Sequence, residues 1–326
     1  MRAIRLHTFG PAENLRLEEV PDPRAGEGQV RIDVEVAGVH LIEARLRRGE
    51  SVGPHRPPVL PTTPGGEVAG VVGAVGPGVA ARWLGRRVVA QLGDGGGYAE
   101  RAVADLAAVH PIPDDLGAAE AVAAITTGTT AQGVLGVARI DARDVVLVMS
   151  AAGGLGSLFV RAARAAGALV VGVAGGPAKV AKVRALGAHI AVDYRDADWP
   201  ERVRAASAGR EPTAVLDGVG GALGRQALEL LGPGGRFLLY GWAAGEPTEI
   251  TTRDLVERQL TATWAIGPNM VPAGGWPELT ARALNAAADG TMVPAITAFP
   301  LAEAAAAHAA LESRATDGKV VLTVGA

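Results

Sequence analysis

The stretch Val145–Ala168, VVLVMSAAGGLGSLFVRAARAAGA, sets an apolar run against a patch of very small residues and then opens into an alanine-rich segment of helical period. Ala151, Ala152, Gly153, Gly154 and Gly156 crowd the junction. A tight turn needs one or two glycines, so this many minimal side chains suggests a large anion lying directly on the backbone. Aligned to the fingerprint of dinucleotide-binding turns, Ala151 takes the first glycine position, Gly153 the second and Gly156 the third. The second must lack a side chain for a pyrophosphate to approach, and the third lets helix and strand pack closely. The anion would sit at the N-terminus of a helix over Leu155–Ala166, where free N–H groups and the helix dipole favour it. The competing reading is a purely structural glycine turn.

The next apolar run bears on which nucleotide binds. A cofactor without a 2′-phosphate usually meets an acidic residue about 20 positions on, which bonds the ribose hydroxyls. Here that place reads VGVAGGPAKV: Gly175 and Gly176 leave room, and Lys179 follows. A carboxylate there would repel a 2′-phosphate, whereas a lysine attracts it, so NADP is favoured over NAD. Lys179 also reads as a solvated lysine on a helix surface.

These residues need a parallel sheet to hold them, and the surrounding texture supplies one. The strand-like runs VVLVMS, LVVGVAG, IAVDY, AVLDGV, RFLLYG and LTATWAI alternate with helix-like Leu155–Ala166, Ala178–Leu186, Trp199–Ala208 and Ala222–Leu231. Wholly apolar strands joined by crossover helices are what a sheet covered on both faces requires. Six such strands fit a doubly wound α/β fold. Before it, from Arg2 to about Pro113, short alternating runs cut by Gly and Pro predict an antiparallel, barrel-like β domain, with strands at Gln29–Val39, Glu67–Val75, Arg87–Leu92 and Gly97–Ala104. A helical segment then follows, with Asp114 or Asp115 as its cap. The tail predicts a helix near Pro277–Ala288, a strand near Val293–Ala298, a helix over Ala302–Ser313 and a strand over Lys319–Val324.

The chain has 326 residues, more than one ordinary core, so two domains are expected. With 31 basic and 34 acidic residues and a net charge of −3, it offers no basic cluster for nucleic acid. Cysteine is absent, which removes disulfides, thiolate ligands and a cysteine nucleophile together. MRAIRLHTFG lacks an apolar signal core, and no uninterrupted apolar run spans a membrane. A soluble, cytoplasmic protein with no membrane partner is the expectation.

In order and spacing, AGVHLIEARLRRG (Ala37–Gly49), PTTPGGEVAGVVGAVGPGV (Pro61–Val79), GGYAE (Gly96–Glu100), VLVMSAAGGLGS (Val146–Ser157) and ESRATDGKVVL (Glu312–Leu322) make the chain resemble the zinc-independent quinone oxidoreductases (zeta-crystallin-like) of the medium-chain dehydrogenase/reductase superfamily. The resemblance covers essentially the whole chain. It implies an α/β protein: a GroES-like, β-rich catalytic domain from residues 1–120 and 291–326, and a six-stranded parallel Rossmann domain from 121–290 that binds NADPH, with the cofactor in the cleft. By family pattern Lys179, Tyr194 and Arg314 hold the 2′-phosphate. Ala152, Gly153, Gly154, Leu155 and Gly156 carry the pyrophosphate, with Gly175 leaving room beside the ribose. Thr130, Tyr240, Gly241 and Trp242 line the nicotinamide side, though Trp242 and Trp264 also read as plain core aromatics. The resemblance further implies a homodimer paired through Gln259–Ile266.

Zinc-dependent relatives place a cysteine or similar ligand near His40 and a His-Glu pair where this chain has Gly66-Glu67, and they carry a four-cysteine lobe. None of those ligands except His40 and Glu67 is matched, so no catalytic metal is expected. His7, His55, His110, His189 and His308 lack ligand spacing and read as surface or core residues. The family usually has Asn in an N-x-x-D pattern where this chain has His40-Leu41-Ile42-Glu43, and an aromatic near Arg45. His40 can fill the place of that Asn and can also donate a proton; a purely positional His40 is the other reading.

Hydride transfer is the cofactor's own chemistry, so no nucleophile or carboxylate pair is needed. The expected activity is NADPH-dependent reduction of a small-molecule acceptor, a quinone or another conjugated carbonyl, held between His40, Arg45 and the Trp264 region. An enoyl-thioester reductase and a non-catalytic NADPH-binding protein are the rival readings.

Overall fold

The computed structural model describes residues 1–52, 55–93, 95–293 and 295–325. The chain divides into two compact units, Met1–Thr126 with Leu284–Ala326, and Thr127–Ala283. The first unit holds β1 (Arg2–Leu6), β2 (Leu15–Glu19), β3 (Gln29–Val39), α1 (Leu41–Arg47), β4 (Glu67–Val75), β5 (Arg87–Gln91), β6 (Arg101–Asp105), β7 (Val109–Pro111) and α2 (Ala118–Ala123). The second holds α3 (Thr129–Ala138), β8 (Val145–Val148), α4 (Gly154–Ala165), β9 (Leu169–Ala174), α5 (Pro177–Ala185), β10 (Ile190–Asp193), α6 (Trp199–Ala206), β11 (Ala214–Asp217), α7 (Gly221–Leu230), β12 (Arg236–Leu239), α8 (Thr252–Arg258) and β13 (Thr261–Trp264). Helix α9 (Gly275–Ala288) returns the chain to the first unit, which ends with β14 (Ile296–Pro300), α10 (Ala304–Glu312) and β15 (Lys319–Thr323).

Strand β3 organises the first unit. One of its edges pairs antiparallel with β4; the other is shared, β6 taking Gln29–Asp33 and β15 taking Val36–Val39. The sheet runs β14-β15-β3-β4-β5-β7, and every pair in it is antiparallel except β14–β15. Its alternating residues Val30, Ile32 and Val34 pack with Val68, Val72, Val88, Val320 and Leu322 in one core. The second unit is a parallel sheet in the order β10-β9-β8-β11-β12-β13. That order reverses between β8 and β11, the topological switch point at whose carboxyl ends doubly wound sheets bind ligands.

All six apolar strands of the second unit lie where their runs predict. Elsewhere the structure differs in instructive ways. The helix after Pro113 starts later than expected: its N-cap is Gly117, extended at φ −72° and ψ 159°, so neither Asp114 nor Asp115 caps it. The strand expected from Gly97 begins at Arg101, because Gly95 and Gly96 adopt positive φ and Tyr98 and Ala99 meet β1 instead. Helices α1 and α8 carried no signal strong enough to be read. The helical run Ala118–Ala138 is long and apolar enough to cross a membrane, but 61% of its most apolar window is buried inside the protein.

Candidate active site

The second unit builds the nucleotide end. Strand β8 delivers Met149 to a turn in which Ser150 adopts φ 51°, and Gly153 N–H bonds back to Ser150 O at 2.9 Å. Gly153 is the N-cap of α4, with no side chain bonded to the first-turn amides, so those N–H groups face outward for an anion. At Gly153 an added Cβ would meet only Ser150, its carbonyl at 3.2 Å and its hydroxyl at 3.4 Å. At Gly156 a Cβ would overlap the Ser150 carbonyl and lie 2.8 Å from Ala151 Cα, which is the close strand–helix packing asked of the third position. Tyr240, just past β12, packs edge-to-face on Phe159 at 5.1 Å and reaches Met149 O at 3.4 Å, so it borders the same turn. Its neighbours Gly241 and Trp242 follow, and the Trp242 and Trp264 rings lie 5.2 Å apart, with Trp264 44% exposed at the edge strand. Thr130 lies half-buried in α3 of this unit.

At the end of β9, Gly175 is overlain by the Tyr194 ring, 3.0 Å from where a Cβ would stand. Lys179 lies in the first turn of α5, half-buried. A further cation went unread in the sequence: the Arg195 guanidinium lies over Gly176 and is gripped by the Asp193 carboxylate at 3.2 and 3.3 Å. Asp193 also accepts from Gly176 N–H at 2.9 Å. Arg314, exposed with φ 58°, belongs to the other unit.

The first unit holds a cavity of about 860 Å³ lined by His40, Ile42, Leu46, His55, Val59 and Leu92 among others. Arg45 does not line it. Its guanidinium donates to Glu50 at 2.9 Å, whereas Arg47, buried and paired with Glu312 at 2.6 Å, does line it. Beside the cavity three side chains from adjacent strands converge. Glu67 opens β4 with no exposure and reaches across Gly38 of β3, where any Cβ would overlap its carboxylate. Lys319, the first residue of β15 and 4% exposed, brings Nζ to 2.6 Å from Glu67 Oε1. His40, 25% exposed, brings Nε2 to 2.9 Å from the same oxygen and 2.8 Å from Lys319 Nζ. Neither oxygen of Glu67 makes a hydrogen bond of good geometry, so the contact is an ion-pair cluster. Burial alone would raise the Glu67 pKa; the charges of His40 and Lys319 outweigh it and hold the carboxyl well below its usual range.

A second buried network sets the position of His40. Glu43 accepts from His40 N–H and from Gly66 N–H, both at 2.8 Å, and from the Tyr98 hydroxyl at 2.7 Å. The Tyr98 oxygen in turn lies 3.0 Å from His308 Nε2, which must be the donor because the single phenolic proton points at Glu43. Gly65 takes φ 103° to let the Tyr98 ring approach.

A metal does not fit here. Gly66 offers no side chain, Lys319 Nζ lies against both His40 Nε2 and Glu67 Oε1, and among the described residues no three His, Cys, Asp or Glu side chains cluster as ligands. A dinucleotide does fit the turn, which has an open helix N-terminus and glycines at the close approaches. The geometry therefore defines a dinucleotide-binding sheet in the second unit and a cavity beside an ion-pair cluster in the first.

Comparison with known proteins agrees. Residues 26–114 match the alcohol dehydrogenase GroES-like domain, and residues 154–285 match a model described as zinc-binding dehydrogenase, although that segment holds one histidine and no cysteine. Rat quinone oxidoreductase is 32% identical over 99% of this chain and 97% of its own length. The 2-haloacrylate reductase of a Burkholderia species is 32% identical over 98% of each. The solved structure of mycobacterial Rv1454c complexed with NADPH superposes with a TM-score of 0.85 at 31% identity, covering 99% of this chain and 100% of that one. The chain belongs to the quinone oxidoreductase (zeta-crystallin-like) branch of the medium-chain dehydrogenase/reductase superfamily.

Sequence reasoning missed Lys319, Tyr98 and His308 as parts of the site. Two signals were present: a glutamate inside the apolar run EVAGVV, and a glycine inside β3 opposite it. His308 also carries a pH dependence. It is fully buried, and burial, helped by Arg47 and opposed by Glu43, pushes its pKa down to about 4. The unfolded imidazole titrates near 6.5, so between about pH 6.5 and 4 the unfolded chain binds more protons and stability falls as pH falls. Denaturant unfolding should lose about 2 kcal/mol between pH 7 and pH 5 from this group, and His308→Gln should remove most of that slope. An unchanged slope in His308→Gln would contradict the assignment.

Proposed function

We propose that the chain reduces a quinone or another conjugated carbonyl, held in the His40 cavity, with hydride from NADPH and without zinc. In this reading residues 1–120 and 291–326 are the catalytic domain and 121–290 the NADP-binding domain. The observation that carries it is the donor set beside the cavity. A conjugated acceptor is already electron-poor and asks only for a hydride and a proton, both of which can be supplied without a Lewis acid. Lys319 places a cation against both His40 and Glu67, where a second cation would be repelled, and the apolar wall of Ile42, Leu46, Val59 and Leu92 suits a flat conjugated ligand.

The cofactor is NADPH, and when bound it supplies the hydride from its nicotinamide. Ala152, Gly153, Gly154, Leu155 and Gly156 are proposed to take the pyrophosphate on the α4 amides. Gly175 leaves room beside the ribose, and Lys179, Tyr194 and Arg314 are proposed for the 2′-phosphate. The carboxylate of the neighbouring strand, Asp193, is engaged by Gly176 N–H and Arg195, so it does not stand against that phosphate unpaired. Thr130, Tyr240, Gly241 and Trp242 are proposed on the nicotinamide side. His40 is proposed to bond the acceptor and donate its proton, with Arg45 and Trp264 further out.

Following NADPH consumption across quinones, enones, enals and 2-enoyl thioesters tests the activity. Quinones or enones should be turned over. Turnover of thioesters alone would contradict the acceptor reading, and no oxidation across the panel would contradict catalysis.

Lys179 tests the cofactor contacts. A hydrogen bond to a charged group that is partly exposed is worth about a factor of ten. Lys179→Ala should therefore weaken NADPH roughly tenfold and leave NADH nearly untouched in titrations of both. Equal losses for the two cofactors would remove Lys179 from the 2′-phosphate site.

A further inference from the structure

Tyr194 and Arg195 follow β10, and both fold back over the glycine pair that follows β9. A Cβ on Gly175 would lie 3.0 Å from the Tyr194 hydroxyl oxygen, and one on Gly176 would lie 2.9 Å from the central carbon of the Arg195 guanidinium. Gly176 is the N-cap of α5, where no side chain caps the helix and no acidic residue stands in the first turn. Arg195 therefore sits at the positive end of a helix dipole, the end that favours an anion and disfavours a cation. Lys179 adds a second positive charge in the same turn. One carboxylate faces these three positive features. Asp193, 16% exposed, accepts from Gly176 N–H at 2.9 Å and from the Arg195 backbone N–H at 3.0 Å, and it grips the guanidinium side-on through Nε at 3.3 Å and Nη2 at 3.2 Å. That grip uses two of the five guanidinium N–H groups. Nη1 and the outer N–H of Nη2 make no hydrogen bond among the described residues, and the side chain is 60% exposed. A planar fork held by one edge keeps the other in a fixed orientation, the arrangement that takes a phosphate bidentately.

We propose that Arg195 donates to the 2′-phosphate of NADPH in front of α5 and is a determinant of the cofactor preference. The proposal rests on the reading of this end of the sheet as the 2′-phosphate site. A 2′-phosphate carries about two negative charges near neutral pH, which is what the helix end, Lys179 and Arg195 together lack; a ribose hydroxyl carries none. Asp193 fixes the guanidinium and has its own charge offset by it, so the carboxylate and the phosphate can stand on either side of one cation. Were Arg195 only a screen for Asp193, removing both side chains would leave the phosphate bound as well as before.

Adenosine 2′,5′-bisphosphate and adenosine 5′-monophosphate, titrated calorimetrically into the protein without NADPH or acceptor, read this contact apart from catalysis. The wild type should bind the bisphosphate more tightly. A hydrogen bond to a charged group that is partly exposed is worth about a factor of ten, so Arg195→Ala should narrow that preference roughly tenfold. Its affinity for the monophosphate and its Tm should stay near wild type, because an exposed ion pair adds little to stability. Combining Arg195→Ala with Asp193→Asn removes the carboxylate, keeps an acceptor for Gly176 N–H and restores no donor. The combined variant should leave the preference well short of the wild-type value. A preference unchanged in Arg195→Ala, or restored in full by adding Asp193→Asn, would overturn the proposal and leave the phosphate to Lys179 and Tyr194. A wild type that binds the two nucleotides equally would remove the 2′-phosphate site along with it.

Discussion

A carboxylate placed inside a β-sheet must be compensated where it stands, and Glu67 is such a group. It has no solvent, and an unpaired ion there would cost several kcal/mol. The two strands nearest to it, β3 and β15, answer that demand in one place. Gly38 of β3 gives up its side chain so the carboxylate can lie across it, β15 begins with the lysine that meets it, and the end of β3 supplies His40. The register in which Ala37 faces Val68 and Gly38 faces Val321 is what brings the three together. Removing either ion alone would be expected to destabilise the unit by about 3–5 kcal/mol. The position of His40 at the edge of the cavity goes with this cluster.

The second unit obeys a different constraint, that of turning from strand to helix with the least side chain in the way. Gly156 and Gly153 serve it in separate ways. At Gly156 the crowding is internal, since a Cβ would strike Ser150 and Ala151, so the position is needed by the fold itself. At Gly153 the crowding is milder, the nearest atom being the Ser150 carbonyl at 3.2 Å. The left-handed Ser150 that begins the turn is backbone strain at the point where the ligand is to be met.

How much of this could be read in advance follows from what kind of signal each part leaves. The parallel sheet was legible because its inner strands are buried on both faces, so they read as apolar runs, with a patch of small residues after the first of them. Strands β3 and β4 were legible to the residue because β-branched runs are bounded by Gly and Pro, with alternation over the first part of β3. The start of α2 was not, because Gly117 caps it through backbone conformation and two nearby aspartates advertise a cap they do not form. Tyr98 was read as part of a continuous strand, but glycines with positive φ break that strand and free its hydroxyl for Glu43. Lys319 could be placed on a strand, but not beside His40. The two are far apart in the chain, and only the β3–β15 pairing, which period and composition do not encode, makes them neighbours. Arg45 lay one residue from Leu46 and two from Arg47, both of which line the cavity, and the register of a short helix was enough to turn it toward Glu50 instead.

The Lys319 ammonium against His40 and Glu67 is a built-in cation fixed by the sheet, and it bears on whether this chain uses a metal. Zinc content and NADPH oxidation of the purified protein, measured with a conjugated acceptor before and after exhaustive chelation, test this most directly. The account predicts no stoichiometric zinc and an unchanged rate; a rate that falls on chelation and returns when zinc is restored would contradict it.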